Sequence, residues 1–219
     1  HELDTALQNN RKSRNAWLGS ISHDLNTPAT AMKIIVDGMN EGIFEPTEET
    51  LRELQTENDN LVQRIGRGIE YSSLIADTKL QVKEVSTEAL ITELSEQYPI
   101  SADIKTKNIE CDENLIKQAL TELLENAIKA SPETEIELTV EETEQAYIIS
   151  VKNKAKLSEE LTTAMFEPWV RGDTARTNGG NGLGLPIVAA IAALHKGKAD
   201  IKQTGESVTA SLNLAKNLH

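Results

Sequence analysis

Residues 17–43 read WLGSISHDLNTPATAMKIIVDGMNEGI, and along them Trp17, Leu18, Ile21, Leu25, Met32, Ile35, Val36, Met39 and Ile43 recur at helical intervals. That spacing draws one apolar stripe down a long amphipathic helix. Pro28 lies inside it, removes one backbone hydrogen bond and crowds the preceding turn, so a bend is expected just after His23. Gly42 to Thr47 breaks the pattern. Thr47, followed by Glu48, Glu49 and Thr50, then reads as an N-cap with acids in the first turn, opening a second helix. Leu51, Leu54, Leu61, Ile65 and Ile69 keep heptad register there, with Asn58 where an apolar residue is missing. Two such helices make an antiparallel hairpin. One narrow stripe per helix is poorly buried within a single hairpin, so two copies are expected to pair as a dimeric four-helix bundle.

Downstream the texture changes. Short β-like runs at 100–105, 135–140, 147–151, 199–203 and 208–214 alternate with helical segments near 86–97, 112–131 and 183–195, which predicts an α/β second domain. The boundary is expected near residue 80, giving 1–79 for the hairpin and 80–219 for the second domain. A chain of 219 residues accommodates both.

Charge and cysteine usage exclude several classes. With 22 basic against 35 acidic residues the formal net charge is −13, so nucleic acid and anionic membrane surfaces are repelled. Cys111 is the single cysteine, which removes any internal disulfide or cysteine-cluster metal site and fits a reducing, cytoplasmic compartment. No apolar run approaches the roughly 18 residues needed to span a bilayer, so no membrane contact is expected of this stretch. Residues 1–8 read as mid-helix sequence without a cap, so the natural chain is expected to continue upstream.

On the first helix His23 stands two residues from both Ile21 and Leu25, about 200° round from either, and therefore faces away from the stripe. A single histidine is more often an inert surface residue. Asp24 changes the balance, because its carboxylate can fix the ring tautomer and leave the other nitrogen's lone pair free as a nucleophile.

The string Ser22-His23-Asp24-Leu25-Asn26-Thr27-Pro28 resembles the H-box of sensor histidine kinases, departing from it at Asn26, where relatives carry a basic residue. Thr121-Glu122-Leu123-Leu124-Glu125-Asn126-Ala127-Ile128-Lys129-Ala130 resembles the N-box of the ATP-binding fold shared by these kinases, gyrases and Hsp90-type chaperones. Glu122, Asn126 and Lys129, four and three apart, can line one helix face, where an amide oxygen meets Mg²⁺ and an ammonium meets phosphate. Taken alone the segment is equally an ordinary amphipathic helix. Gly179-Gly180-Asn181-Gly182-Leu183-Gly184-Leu185 resembles the G2 box, whose glycines let backbone N–H groups and a helix N-terminus approach phosphate. Met165-Phe166-Glu167-Pro168-Trp169-Val170-Arg171 resembles the F-box, which implies that Phe166 anchors a lid and that Arg171 or Arg176 reaches the terminal phosphate.

One box is eroded. Relatives carry D-x-G-x-G in the adenine pocket, whereas here the stretch is Asn153-Lys154-Ala155-Lys156-Leu157. Asn153 keeps an acceptor for the adenine amine, weaker than a carboxylate.

The resemblance implies Mg-ATP held at Glu122, Asn126, Lys129, Asn153, Arg171, Gly180, Gly182, Gly184 and Leu185, with Asn126 on the metal. It also implies autophosphorylation of His23, with Asp24 beside it, and phosphotransfer to an aspartate of a response regulator. Thr27 would orient water for dephosphorylating that regulator. Two alternatives stay open: a silent scaffold or phosphatase with a degraded nucleotide site, motivated by the missing glycines, and an ATPase or serine kinase of the same fold, motivated by Glu122.

Overall fold

The computed structural model describes residues 25–132, 134–157, 165–168 and 182–216. The chain divides into two compact units between Ser72 and Ser73.

In the first unit lie helix α1, over 25–40, and most of α2, which runs Glu48–Asp77 and so ends past the division at Ser72. The expected cap is in place: Thr47 Oγ1 accepts the Thr50 N–H at 3.2 Å, with Glu48 and Glu49 in the first turn. α1 ends because the Ile43 and Phe44 N–H groups both return to Gly38 O while Gly42 takes a left-handed φ of 70°. Phe44 folds its ring over Gly38, where any Cβ would collide with it. Ala31, Ile34 and Ile35 of α1 line one groove with Glu49, Arg52 and Glu53 of α2, as a hairpin requires. The single stripe expected on α2 splits in two. Leu54 and Leu61 are half-buried, whereas Leu51, Asn58, Val62, Ile65 and Ile69 stand exposed.

The second unit is an α/β sandwich. Its elements are β1 (Lys83–Ser86), α3 (Thr87–Ser95), β2 (Ile100–Ile104), β3 (Asn108–Cys111), α4 (Glu113–Ala130), β4 (Ile136–Glu142), β5 (Ala146–Lys154), α5 (Gly184–Leu194), β6 (Lys198–Thr204) and β7 (Ser207–Ala215). Five strands form one sheet in the order β2-β4-β5-β7-β6, with β2 parallel to β4 and the other pairs antiparallel. β1 and β3 form a separate antiparallel pair that sequence periodicity had not marked.

Helices α4 and α5 pack on each other and on this sheet. Ile116, Leu120 and Leu124 of α4, Ile187 and Ile191 of α5, and Ile136, Leu138, Ile149 and Leu212 of the sheet are fully buried together as its core. Each such side chain contributes about 1.5–3 kcal/mol on leaving water. On β5 alternate residues Tyr147, Ile149, Val151 and Asn153 are buried, so the period of two that builds the core also turns Asn153 inward.

Candidate active site

Three elements converge at the C-terminal end of α4. The helix begins under an Asp112 N-cap, whose Oδ1 accepts the Leu115 N–H at 3.3 Å, and ends at Ser131, whose hydroxyl donates to Lys154 O. That tie holds the end of β5 against the last turn of α4. Asn153 lies there, nearly buried, its Nδ2 donating to Ala127 O at 3.3 Å and Lys154 O at 3.4 Å. With Nδ2 so engaged, Oδ1 remains as its acceptor end.

The third element is the start of α5. A Cβ added at Gly184 would stand 2.8 Å from Glu122 Oε2 and 3.4 Å from Asn126 Nδ2, so only a residue without a side chain fits without displacing them. Gly182 takes φ 67°, the left-handed region glycine tolerates. Leu183 is buried and fixes the loop to the core, and Leu185 is half-buried. The predicted trio on α4 is therefore unequal. Glu122 is buried, Asn126 is exposed, and Lys129 is exposed with its ammonium 3.1 Å from Glu125 Oε2. Against the same helix the Tyr98 phenol is raised in pKa, by burial first and then by the Glu125 carboxylate.

The eroded segment after Asn153 runs along the β6–β7 turn. Ala155 donates its N–H to Glu206 O at 3.0 Å and Leu157 donates to Gln203 Oε1 at 2.7 Å. Both amides are thus occupied by the protein.

Thr27 is exposed on α1 and Phe166 is half-buried in a turn. His23, Asp24, Arg171, Arg176 and Gly180 lie outside the described residues. Sequence reasoning missed His195, fully buried at the end of α5, where it continues the stripe of Ile187 and Ile191 at the next step of four. Its Nε2 accepts the Asp112 N–H at 3.0 Å and its Nδ1 faces Ile191 O at 2.8 Å, which fixes a neutral ring protonated on Nδ1. Burial lowers its pKa against the raising effects of the Ile191 carbonyl and Asp112.

Residues 111–216, which contain Asn126, Asn153 and Gly184, match the family described as histidine kinase-, DNA gyrase B- and HSP90-like ATPase. The chain is 29% identical over 205 residues to the sensor protein GtcS of Aneurinibacillus migulanus, covering 85% of this chain and 55% of that one. It is 27% identical over 222 residues to the sensor-like histidine kinase SenX3 of Mycolicibacterium smegmatis, covering 92% and 57%. The chain is thus similar over most of its length to proteins named as sensors and sensor histidine kinases, and its residues 111–216 match the ATPase domain of that family. It spans just over half the length of these two curated relatives.

Among solved structures, the histidine kinase ThkA in complex with the response regulator TrrA shares the fold at a TM-score of 0.74 and 22% identity, covering 97% of this chain and 66% of that one. The Acinetobacter baumannii histidine kinase AdeS gives a TM-score of 0.71 at 21% identity, covering 89% and 98%. The match of residues 111–216 to this ATPase family implies ATP as the ligand. No helix among the described residues is long and apolar enough to cross a membrane.

Proposed function

We propose that this chain is the catalytic core of a dimeric sensor histidine kinase, transferring the γ-phosphoryl group of ATP to His23 and then to an aspartate of a response regulator. The observation that carries the reading is the close approach of Gly184 to Glu122 and Asn126, with Asn153 tied one turn away to Ala127 O. Residues 1–79 serve in this reading as the dimerisation and phosphotransfer part and 80–219 as the catalytic part. The exposed stripe Leu51, Val62, Ile65 and Ile69 supports pairing of two hairpins.

The mechanism assigns each group one task. Asn153 Oδ1 accepts from the adenine amine, and the amides from Gly180 to Leu185 meet phosphate oxygens at the positive end of α5. Lys129, released from Glu125, and Arg171 add positive charge to the same oxygens. A bound Mg²⁺, held on the protein side by Asn126 Oδ1, would neutralise charge shared by the β- and γ-phosphates. The neutral nitrogen of His23 attacks in line while Asp24 holds the ring and stabilises the charge that develops on it. Thr27 orients the water that hydrolyses the phosphoryl-aspartate of the regulator.

The test is transfer of label from γ-labelled ATP to wild type and to His23→Gln, followed by acid and base treatment. Acid-labile, base-stable label on wild type alone is the expected result. Label on His23→Gln, or acid-stable label, would sink the reading.

A second reading, a weakly binding scaffold or phosphatase, is favoured by Ala155 and Leu157, whose N–H groups are already bonded to Glu206 O and Gln203 Oε1. Absence of nucleotide binding at millimolar ATP, with regulator dephosphorylation retained, would select it.

A further inference from the structure

Within the second unit, the segment between α2 and β1 is hydrogen-bonded through Gln81. The Gln81 N–H donates to Asp112 Oδ2 at 2.8 Å, while the other carboxylate oxygen of Asp112 caps α4 through the Leu115 N–H. The Asp112 backbone N–H in turn donates to His195 Nε2, and the opposite ring nitrogen donates to Ile191 O. Asp112 is nearly buried and His195 fully so, which makes the two bonds of the His195 ring costly to leave unmade, whereas Gln81 is exposed and its bond to Asp112 is part-buried.

This chain of bonds ends on the helix that begins at Gly184. The C-terminal end of α5 is pinned to the start of α4 by His195, and its N-terminal end meets Glu122 and Asn126 toward the other end of α4. The two helices therefore lie antiparallel with one fixed point at each end. An 11-residue helix is about 16 Å long and moves as a rod, so a shift at His195 is felt at Gly184. The fixed point is stiff: Lys196 takes φ 53°, Ala215 N–H bonds His195 O at 3.1 Å, and a Cβ at Gly197 would run into Asn213 O.

We infer that Asp112 and His195 are positioning residues that couple the segment at Gln81 to the nucleotide site, so that displacement of that segment alters how Gly184 meets Glu122 and Asn126. The inference rests on the reading of Asn126 and Gly184 as the nucleotide site. It assigns to the junction between α2 and β1 a route into ATP affinity through the backs of α4 and α5.

Substitutions can address the bonds singly. Asp112→Asn still caps a helix as well as aspartate does, but an amide has one acceptor oxygen where both Gln81 and Leu115 present N–H groups. Gln81→Pro removes the donor from the linker and leaves the cap untouched. His195→Gln places an amide oxygen near the position of Nε2 and keeps the Asp112 bond, whereas His195→Leu loses it.

In the full chain, Asp112→Asn and Gln81→Pro are expected to raise the KM for ATP about 3- to 10-fold with kcat within about twofold, and the double variant to go no further than either alone. His195→Gln should lie nearer wild type than His195→Leu. In nucleotide-free protein, Asp112→Asn should speed amide exchange in the first turn of α5. Lower melting temperature with unchanged KM, or unchanged exchange at Ile187, whose N–H bonds Leu183 O at 2.9 Å, would overturn the coupling. If wild type bound no ATP the site assignment would fail, and the exchange measurement alone would then decide the coupling.

Discussion

Gly184 and Glu122 stand so close that a Cβ at position 184 would lie 2.8 Å from Glu122 Oε2. The carboxylate is nearly buried, so it has little room to withdraw. Gly184→Ala sets two effects against each other. Alanine improves helix propensity by up to about 1 kcal/mol, less at a first helical residue, while forcing the buried carboxylate aside costs about 1–3 kcal/mol. Packing should win locally and be felt at the site: ATP affinity by calorimetry falls about 10-fold while melting temperature moves little. Gly184→Ala combined with Glu122→Ser should recover part of that loss, since the obstructing group is gone. Unchanged affinity in the single variant would refute the cradle.

The buried ring of His195 makes stability depend on pH. Its pKa lies below the ordinary 6.5, because burial disfavours the charged ring. Protonation would also set a ring N–H against the Asp112 N–H. The unfolded chain takes up this proton first as pH falls, so the contribution is complete above about pH 6.5 and lost progressively below it. Glu113, held below 4.5 chiefly by its bond to Lys83, acts in a lower window, with its contribution lost as pH falls through that depressed value. Unfolding midpoints in urea between about pH 7.5 and about pH 5.5 should therefore decline in wild type and decline less in His195→Gln.

Cys111 should be inert in the native protein. It is fully buried, and its thiol is pushed up to about 12, by burial first and then by Asp112 and Glu113. Only the thiolate attacks disulfide reagents, so labelling at about pH 8 must wait for opening of the β1–β3 pair and α4. The labelling rate should rise with urea in parallel with unfolding. Rapid labelling in buffer alone would contradict the burial.

Much of this architecture was legible where hydrophobic period and chemistry coincide. Alternation marked β5 and carried on through Asn153, so the residue expected to read the base shares the core-facing side of the strand. Thr47 announced α2 by its cap. What stayed hidden had short or private signals. β1 and β3 hold four residues each, too few for a period to declare itself, and Val85 is the sole apolar residue of β1. His195 offered a signal in its step of four from Ile191, but nothing in sequence says that its partner is the backbone of Asp112, 83 residues away. The heptad on α2 gave the right residues on too few faces, because position along a helix fixes an angle and not which neighbour fills it.

That split stripe yields a prediction about assembly. Val62 and Ile69 are 61% and 64% exposed on α2, and Ile65 lies between them on the same line. Burying such a side chain is worth about 1.5–3 kcal/mol, and a two-fold pairing of hairpins would count each position twice. Asn58 on this line is the kind of polar residue that fixes register within a helical seam. Ile69→Lys would place two ammonium groups in such an interface, a loss well beyond what one surface ion pair returns. Sedimentation equilibrium should give twice the chain mass for wild type and the chain mass for Ile69→Lys, with far-ultraviolet circular dichroism showing the helices retained. Asn58→Leu should stay associated but populate species beyond the dimer or shifted in register, because removing a polar residue from such a seam strengthens it while relaxing its specificity. A wild-type chain sedimenting as a monomer at high micromolar concentration would leave the exposed stripe for some other partner and remove the ground for the four-helix bundle.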